Sequence, residues 1–215
     1  TYNPSKNSLK LPQLISLKAS AESNLSDVIS KNTNYNNKVN ERITAFSGLK
    51  SLSTRLVNAL QTTDATPETI GNAKTFNRKM QGKKASSAQT PTDPNTPAPT
   101  TISTSQQSYD QLIQHLSGLT SVLEAETSYT PNETDLQVAT LQTKIADLTA
   151  KNTAVATAYA SISNSRIARN ETLYSSSTGL VETANEVKKY IKSVFGASSP
   201  QFAQVKGIQF KIIKN

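Results

Sequence analysis

A long apolar stripe places the strongest constraint on the fold of this chain. It runs through residues 141–166, with three or four residues between successive members and no Gly or Pro in between. Its members are Leu141, Ile145, Leu148, Asn152, Val155, Tyr159, Ile162 and Arg166. This spacing puts every member on one face of an α-helix. The stripe predicts a helix of about 35 residues, about 50 Å long at 1.5 Å per residue.

The first half of the chain carries a stripe of the same kind, and three short motifs recur with it. The stripe consists of Leu14, Leu17, Ala21, Leu25, Val28, Asn32, Tyr35, Val39 and Phe46. The recurring motifs are Lys31-Asn32-Thr33 with Lys151-Asn152-Thr153, Arg42-Ile43 with Arg166-Ile167, and Ser53-Thr54-Arg55-Leu56-Val57 with Ser177-Thr178-Gly179-Leu180-Val181. These matches predict two copies of a helix-pair repeat. Copy one occupies residues 12–84, and copy two, which has an extra helix, occupies residues 104–215.

Shorter patterns place the other elements of copy two. Leucines at helical spacing predict the extra helix over residues 104–126. Asn132 is a suitable N-cap for the long helix that follows, and Gly196 is the expected stop of the last helix. Residues 204–213 are rich in β-favouring side chains, so we expect a short extended C-terminal tail.

Residues 85–103 are rich in Pro, Thr and Ser and poor in apolar side chains, which predicts a linker between the copies. Each copy alone has only one or two apolar stripes to bury, so we treat residues 1–215 as a single domain. The expected fold is all-α: an elongated antiparallel helical bundle built from two copies of the helix-pair repeat. A Pro/Thr-rich linker joins the copies, and a short extended tail follows.

Composition limits the classes of protein to which the chain can belong. It contains no Cys, which excludes disulfides and thiolate metal sites. No apolar run approaches the roughly 18 residues that a membrane span requires. We expect a cytoplasmic protein, although an N-terminal targeting segment removed before Thr1 is an open alternative.

The net charge of +8 is unevenly distributed along the chain. Residues 1–84 contain 13 Lys/Arg and 5 Asp/Glu, whereas residues 85–215 contain 10 of each. Two interpretations are open: a solvated basic segment, or a contact for phosphate or an acidic partner. The candidate contact patch consists of Lys74, Arg78, Lys79, Lys83, Lys84, Lys188, Lys189 and Lys192.

Asn32 and Asn152 fall at equivalent positions in the two stripes. A polar residue in an apolar stripe commonly fixes helix register. Two interpretations have equal weight: the amides form a buried polar register pair, or each lies at a bundle edge that water reaches.

Residues suited to catalysis are scarce. His115 is the single histidine, and its neighbours at helical spacing include no carboxylate. We expect it at the boundary of an apolar face rather than as a general base. No cluster has the spacing of metal ligands, and no glycine-rich phosphate loop occurs. We therefore expect no enzymatic activity, no cofactor and no metal.

Three segments resemble uncharacterised helical proteins of the Bacteroidetes. They are Lys74-Thr75-Phe76-Asn77-Arg78-Lys79-Met80-Gln81-Gly82-Lys83, Ala168-Arg169-Asn170 with Tyr174, and Val187-Lys188-Lys189-Tyr190 with Ser193-Val194-Phe195-Gly196 and Ser199-Pro200. The similarity spans most of residues 74–210, and the last motif is the most specific. That family has no assigned activity. The resemblance therefore implies a bacterial, noncatalytic helical protein and carries over no functional residue.

A repeated scaffold without a catalytic constellation favours a noncatalytic structural or protein-interaction bundle with protein partners. The alternative is a nucleic-acid-associated helical protein that uses the basic patch. Nucleic acid is the less favoured partner, because residues 85–215 are neutral and nucleic-acid-binding domains are usually more basic.

Overall fold

The computed structural model describes residues 1–82 and 107–212. Their α-helices are α1 (Leu11–Phe46), α2 (Leu49–Leu60), α3 (Pro67–Gln81), α4 (Tyr109–Ala125), α5 (Val138–Tyr174), α6 (Leu180–Phe195) and α7 (Pro200–Lys206). Two 3-10 segments, Asn7–Leu9 and Thr134–Leu136, complete the regular structure. These residues form no strand, which confirms the all-α class. The predicted linker, residues 85–103, lies outside the described residues.

The chain divides into two compact units. Unit 1 comprises Thr1–Asn37 and Thr157–Asn215, and unit 2 comprises Lys38–Ala156. The division passes through α1 and α5, so each long helix contributes to both units. The units therefore do not coincide with the two predicted copies, whose boundary lies in the linker.

Unit 2 contains a continuous apolar core. The core includes the fully buried side chains of Leu49, Leu56, Leu60, Met80, Leu116, Leu119, Leu123, Leu141 and Leu148. Removing each of these side chains from water contributes about 1.5–3 kcal/mol. Hydrophobic burial therefore holds α2, α3, α4 and the first part of α5 together.

Local signals set the helix ends of unit 2. Gly48, between α1 and α2, has φ +79°, a left-handed conformation that Gly adopts without a Cβ penalty. Thr66 caps α3 by accepting a hydrogen bond from the Thr69 amide at 3.2 Å, and Ser108 caps α4 in the same way. The predicted extra helix is thus α4, although residues 104–106 lie outside the described part of the chain.

Asn132 is not the N-cap of the long helix, contrary to the sequence prediction. A 3-10 turn over Thr134–Leu136 follows it, and α5 begins at Val138. Leu136 is buried, and its carbonyl accepts a hydrogen bond from the Tyr129 hydroxyl at 3.0 Å. Anchoring Leu136 in the core delays the helix start. Burial raises the pKa of Tyr129 to about 12.

Unit 1 pairs the first part of α1 with the last part of α5. The Asn24 amide donates to the Thr172 hydroxyl at 2.7 Å, and the Ser165 hydroxyl donates to the Asp27 carboxylate at 2.6 Å. Residue numbers fall along α5 as they rise along α1, so the two segments are antiparallel. Their contact combines small side chains with polar pairs.

The buried stripe of α5 shifts by one position within unit 1. The sequence predicted Tyr159 and Arg166 as members of the stripe, but both are exposed, whereas Ala158 and Ser165 are buried. Both buried side chains are small, and the Ser165 hydroxyl donates a hydrogen bond to the Asp27 carboxylate. The predicted length of the helix is confirmed, since α5 has 37 residues.

The N-terminal segment of unit 1 packs on α6. The rings of Tyr2 and Tyr190 meet edge to face with centroids 5.2 Å apart, and Lys6 forms an ion pair with Glu186 at 2.6 Å. The Tyr2 hydroxyl donates to the Leu9 carbonyl at 2.6 Å, which fixes the 3-10 turn. Burial, and then the neighbouring Tyr190, raise the pKa of Tyr2.

The C-terminal tail begins as a helix. Residues 204–206 belong to α7, and residues 208–212 have no regular structure, so the predicted extended segment is wrong at its start. Ser199 accepts a hydrogen bond from the Phe202 amide at 3.1 Å, and Pro200 occupies the first turn. These helix-starting signals outweigh the β-favouring pattern. The predicted stop at Gly196 is confirmed, because α6 ends at Phe195.

α3 and α4 approach most tightly at Gly118. A Cβ atom on Gly118 would lie 2.3 Å from Cε1 of Phe76, whereas a Cβ on Gly71 of α3 would meet nothing within 4 Å. Gly118 therefore permits the close packing, and Gly71 has no such role.

We expect Gly118→Ala to lower the free energy of unfolding by about 1 kcal/mol. Overpacking costs about 1–3 kcal/mol, and better helix propensity returns up to about 1 kcal/mol. Gly71→Ala, the matched control, gains propensity alone and should raise the free energy of unfolding by about 0.5–1 kcal/mol. Chemical denaturation measures both, and effects of the same sign would contradict the packing account.

Candidate interaction surfaces

The basic residues of α3 form an exposed edge of unit 2. Lys74 and Arg78 are exposed and lie four residues apart, on one face of the helix. Lys79 is half-buried, with its ammonium 5.8 Å from the centroid of the Phe76 ring. Lys83 and Lys84 lie outside the described residues. Among the described basic residues of α3, Lys74 and Arg78 are therefore the ones that carry exposed positive charge.

The basic residues of α6 divide into structural and exposed members. Lys188 donates to the carbonyl oxygens of Lys206 and Ile208, at 3.1 Å and 2.7 Å, so it attaches the end of α7. The Lys192 ammonium lies 5.9 Å from the centroid of the Phe202 ring. Lys189 is exposed. The predicted patch combines α3 of unit 2 with α6 of unit 1, and their joint action stays a prediction.

The fold redistributes the charge that the linear sequence assigned to the first half of the chain. Unit 1 contains 12 Lys/Arg and 5 Asp/Glu, a net charge of +7. Unit 2 contains 11 Lys/Arg and 10 Asp/Glu, a net charge of +1. The excess positive charge therefore belongs to unit 1, which brings basic residues from both ends of the sequence together.

Asn152 belongs to a polar cluster at the edge of the unit 2 core. Its carbonyl oxygen accepts from the Arg42 guanidinium at 2.9 Å, and its amide donates to Asp110 at 2.7 Å. The guanidinium also lies 4.0 Å from the centroid of the Tyr109 ring. The cluster joins α1, α4 and α5 within unit 2.

Asn152 and Asn32 are both half-buried rather than buried. Asn32 lies in the part of α1 that belongs to unit 1. Both polar groups of the Asn152 amide are engaged within unit 2, by Arg42 and Asp110. A register role for Asn152 inside unit 2 is consistent with these bonds, and pairing of the two amides stays a prediction.

Arg42 is half-buried and contacts side chains on two other helices. Its Nε atom is buried without a hydrogen-bond partner, while its remaining contacts are Asn152 and the face of Tyr109. By contrast, Arg55 and Asp135 pair on the surface, where solvent weakens ion pairs. The two arginines therefore offer a matched comparison.

We expect Arg42→Ala to lower the free energy of unfolding of unit 2 by about 1.5–3 kcal/mol, because hydrogen bonds to charged groups carry about that much. Arg55→Ala should cost less than about 1 kcal/mol. Urea denaturation of each variant measures the difference. A larger loss for Arg55→Ala would show that the cluster does not stabilise unit 2.

His115 is buried on α4, which corrects the prediction that it lies at a boundary. Its Nε2 atom is buried without a hydrogen-bond partner. Burial, and then the charge of Lys79, lower the pKa of His115. The side chain therefore stays neutral at pH values where a free histidine begins to take up a proton.

We expect the imidazole of His115 to titrate below pH 6.5, and one NMR resonance will report it because the chain has a single histidine. Since the unfolded chain binds this proton more tightly, stability contributed by the neutral form is present above pH 6.5. It is lost as pH falls through the folded-state pKa. Below pH 6.5 the wild type should lose more stability than His115→Gln. A pKa at or above 6.5 would contradict this.

Exposed apolar side chains concentrate in unit 1. Among the described residues, the exposed large apolar side chains are Leu11, Ile15, Leu25, Ile29, Ile43, Tyr159, Ile167, Val194, Ile208 and Ile212. All except Ile43 belong to unit 1. The sequence pattern predicted that Leu25 and Tyr159 are buried, and it did not predict this exposed apolar surface. A second set of apolar residues at helical spacing along α1 indicates the surface in the sequence.

Comparison with known proteins gives no match to a family model, to a curated protein or to a solved structure. Within residues 1–82 and 107–212, no three His, Asp or Glu side chains are grouped so as to hold a metal ion. Over the same ranges, no helix combines the length and hydropathy needed to cross a bilayer. The surfaces themselves are therefore the basis for assigning a function.

Proposed function

We propose that this chain is a noncatalytic structural or protein-interaction helical protein that binds protein partners through unit 1. The observation that carries the proposal is the concentration of exposed apolar side chains there. Ile29 and Ile167 are 69% and 65% exposed, although both lie within long, regular helices. Large exposed apolar surfaces commonly mark binding sites for other proteins.

The contrast with unit 2 supports this assignment. Unit 2 buries large side chains from five helices, and Ile43 is its one strongly exposed aliphatic side chain among the described residues. Unit 1 buries fewer large side chains, such as Leu9 and Ile162, together with small ones, such as Ala21 and Ala158. Apolar surface that the unit does not cover itself is available to a partner.

We also propose that the chain arose from two copies of one repeat. The order of elements supports this proposal. A helix of 36 or 37 residues is followed by one of 12 or 16 residues, and then by a helix that a Ser or Thr side chain caps before Pro. This order is α1–α2–α3 in the first half and α5–α6–α7 in the second.

A bacterial origin is a further proposal, supported by the resemblance of residues 74–83 and 187–200 to helical proteins of the Bacteroidetes. A cytoplasmic location stays a prediction from the sequence. Neither bears on how unit 1 binds a partner.

The alternative function is association with nucleic acid through basic residues. The net charge of +7 on unit 1 and the exposed Lys189 favour it. Against this function, the Lys188 ammonium already donates hydrogen bonds to two backbone carbonyls, which engage it within the protein. Phosphate binding is strongest at low salt, so salt dependence separates this function from apolar protein binding.

We expect affinity purification from the source cells to recover a defined protein partner with the wild type. A variant with Ile29→Ser and Ile167→Ser should lose it, because apolar contact area is removed from unit 1. Calorimetry with the purified partner should show binding weakened by at least about tenfold, equivalent to about 1.4 kcal/mol.

Ile43→Ser is the matched control, since it removes an exposed isoleucine from α1 in unit 2 and should leave binding unchanged. Recovery that nuclease treatment abolishes, together with duplex or single-stranded DNA binding at about 50 mM salt, would replace this proposal with the nucleic-acid alternative.

A further inference from the structure

A second heptad stripe runs along the exposed side of α1 in unit 1. Its residues are Leu11, Ile15, Lys18, Glu22, Leu25 and Ile29, separated by four, three, four, three and four positions. This is the spacing of a coiled-coil seam. On a helix with 3.6 residues per turn, the stripe lies about a quarter turn from the face carrying Ala21 and Val28. The neighbouring face meets α5, whereas this one is left exposed by residues 1–82 and 107–212.

Every member of this stripe is accessible. The apolar members are 44% to 69% exposed, and the side chains of Lys18 and Glu22 are 73% and 63% exposed. Lys18 and Glu22 form an ion pair at 3.1 Å along the helix. The stripe is therefore a surface with apolar ends and a charged centre.

The stripe has the same pattern in both directions. Two apolar residues precede Lys18 and two follow Glu22, and the pattern is centred on position 20. If a second copy of α1 lies antiparallel about that centre, Leu11 faces Ile29 of the second copy. Likewise, Ile15 faces Leu25 of the second copy. In an antiparallel coiled coil, an apolar a residue of one helix likewise faces an apolar d residue of the other.

Charge complementarity identifies the partner as a second copy. In the same register, Lys18 of each copy faces Glu22 of the other, so two ion pairs cross the interface in addition to the pair within each helix. A uniformly apolar partner helix would remove the Lys18–Glu22 ion pair from water and offer its charges no further polar contact, which is unfavourable. A second copy supplies the opposite charge at each position and the matching apolar residues on either side.

We propose that two copies of this chain associate through an antiparallel pairing of this α1 stripe, with a twofold axis at position 20. The pairing is isologous, because each copy contributes the same surface. It rests on the proposed protein-binding role of unit 1 and specifies one partner for it. With four apolar side chains per copy, the interface falls in the range of weak, reversible complexes.

Engineered cysteines test the register directly, because the chain has none of its own. A variant carrying Ile15→Cys and Leu25→Cys should oxidise to a disulfide-linked dimer. Within one helix the two positions are about 15 Å apart, which prevents an intramolecular bond. Ile15→Cys alone and Leu25→Cys alone should form no disulfide-linked dimer, and a mixture of the two should cross-link. Equal cross-linking by the single variants would overturn the register.

Charge exchange tests the ion pairs across the interface. Lys18→Glu should weaken dimerisation by at least about tenfold in sedimentation equilibrium between about 1 μM and about 1 mM protein. The double exchange, Lys18→Glu with Glu22→Lys, should restore it. Lys31→Glu is the matched control, because it makes the same charge change and breaks the ion pair with Asp27, but lies off the stripe. It should leave the dimer unchanged.

Apolar substitutions complete the test. Ile29→Ser should dissociate the dimer, whereas Ile167→Ser, which removes a similarly exposed isoleucine from α5, should not. Circular dichroism confirms that each variant remains helical. A wild type that stays monomeric to about 1 mM would overturn this inference. If that monomer still bound its purified partner, the proposed function would stand alone.

Discussion

The pairing of α1 with α5 in unit 1 depends on small side chains and short polar contacts. The Ser165 hydroxyl donates a hydrogen bond to Asp27 at 2.6 Å. Ala21, close to Asp27 along α1, and Ala158, close to Ser165 along α5, are both buried. Burying a small side chain removes little apolar area from water, and the stabilisation from burial scales with that area. On these helices in unit 1, Leu25, Ile29 and Ile167 are exposed, whereas Ile162 is buried. The exposed apolar side chains are the basis of the binding surface proposed for unit 1.

Unit 2 shows the opposite balance between core and surface. Leucines and Met80 from its helices form one core, and polar contacts lie at its edge. The cluster around Arg42 joins three helices through a hydrogen bond and an aromatic contact. Among the described residues, Ile43 is the one large apolar side chain that unit 2 leaves exposed.

Sequence patterns predicted the elements better than the surfaces. Uninterrupted 3-4 spacing predicted the length of α5, and Gly196 predicted the end of α6. The β-favouring residues of the tail predicted an extended segment, but the Ser199 cap and Pro200 start a helix, α7, before it. The 3-4 spacing predicts that Tyr159 is buried, but Tyr159 is exposed and Ala158 is buried instead. Spacing alone does not show against which side of the apolar stripe another helix packs. The excess positive charge lies in residues 1–84 of the linear sequence, whereas the fold gathers Lys6, Lys10 and the lysines of α6 into one unit. Such groupings depend on tertiary contacts, which local spacing does not encode.

The two segments attached to α6 differ in the kind of electrostatic contact that holds them. Lys6 meets the carboxylate of Glu186, so dissolved ions weaken that attachment. Lys188 instead donates to the uncharged carbonyls of Lys206 and Ile208. Since a carbonyl has no net charge for counterions to neutralise, the second attachment is less sensitive to salt. In a concentrated electrolyte, the N-terminal segment should loosen while the last helix keeps its place.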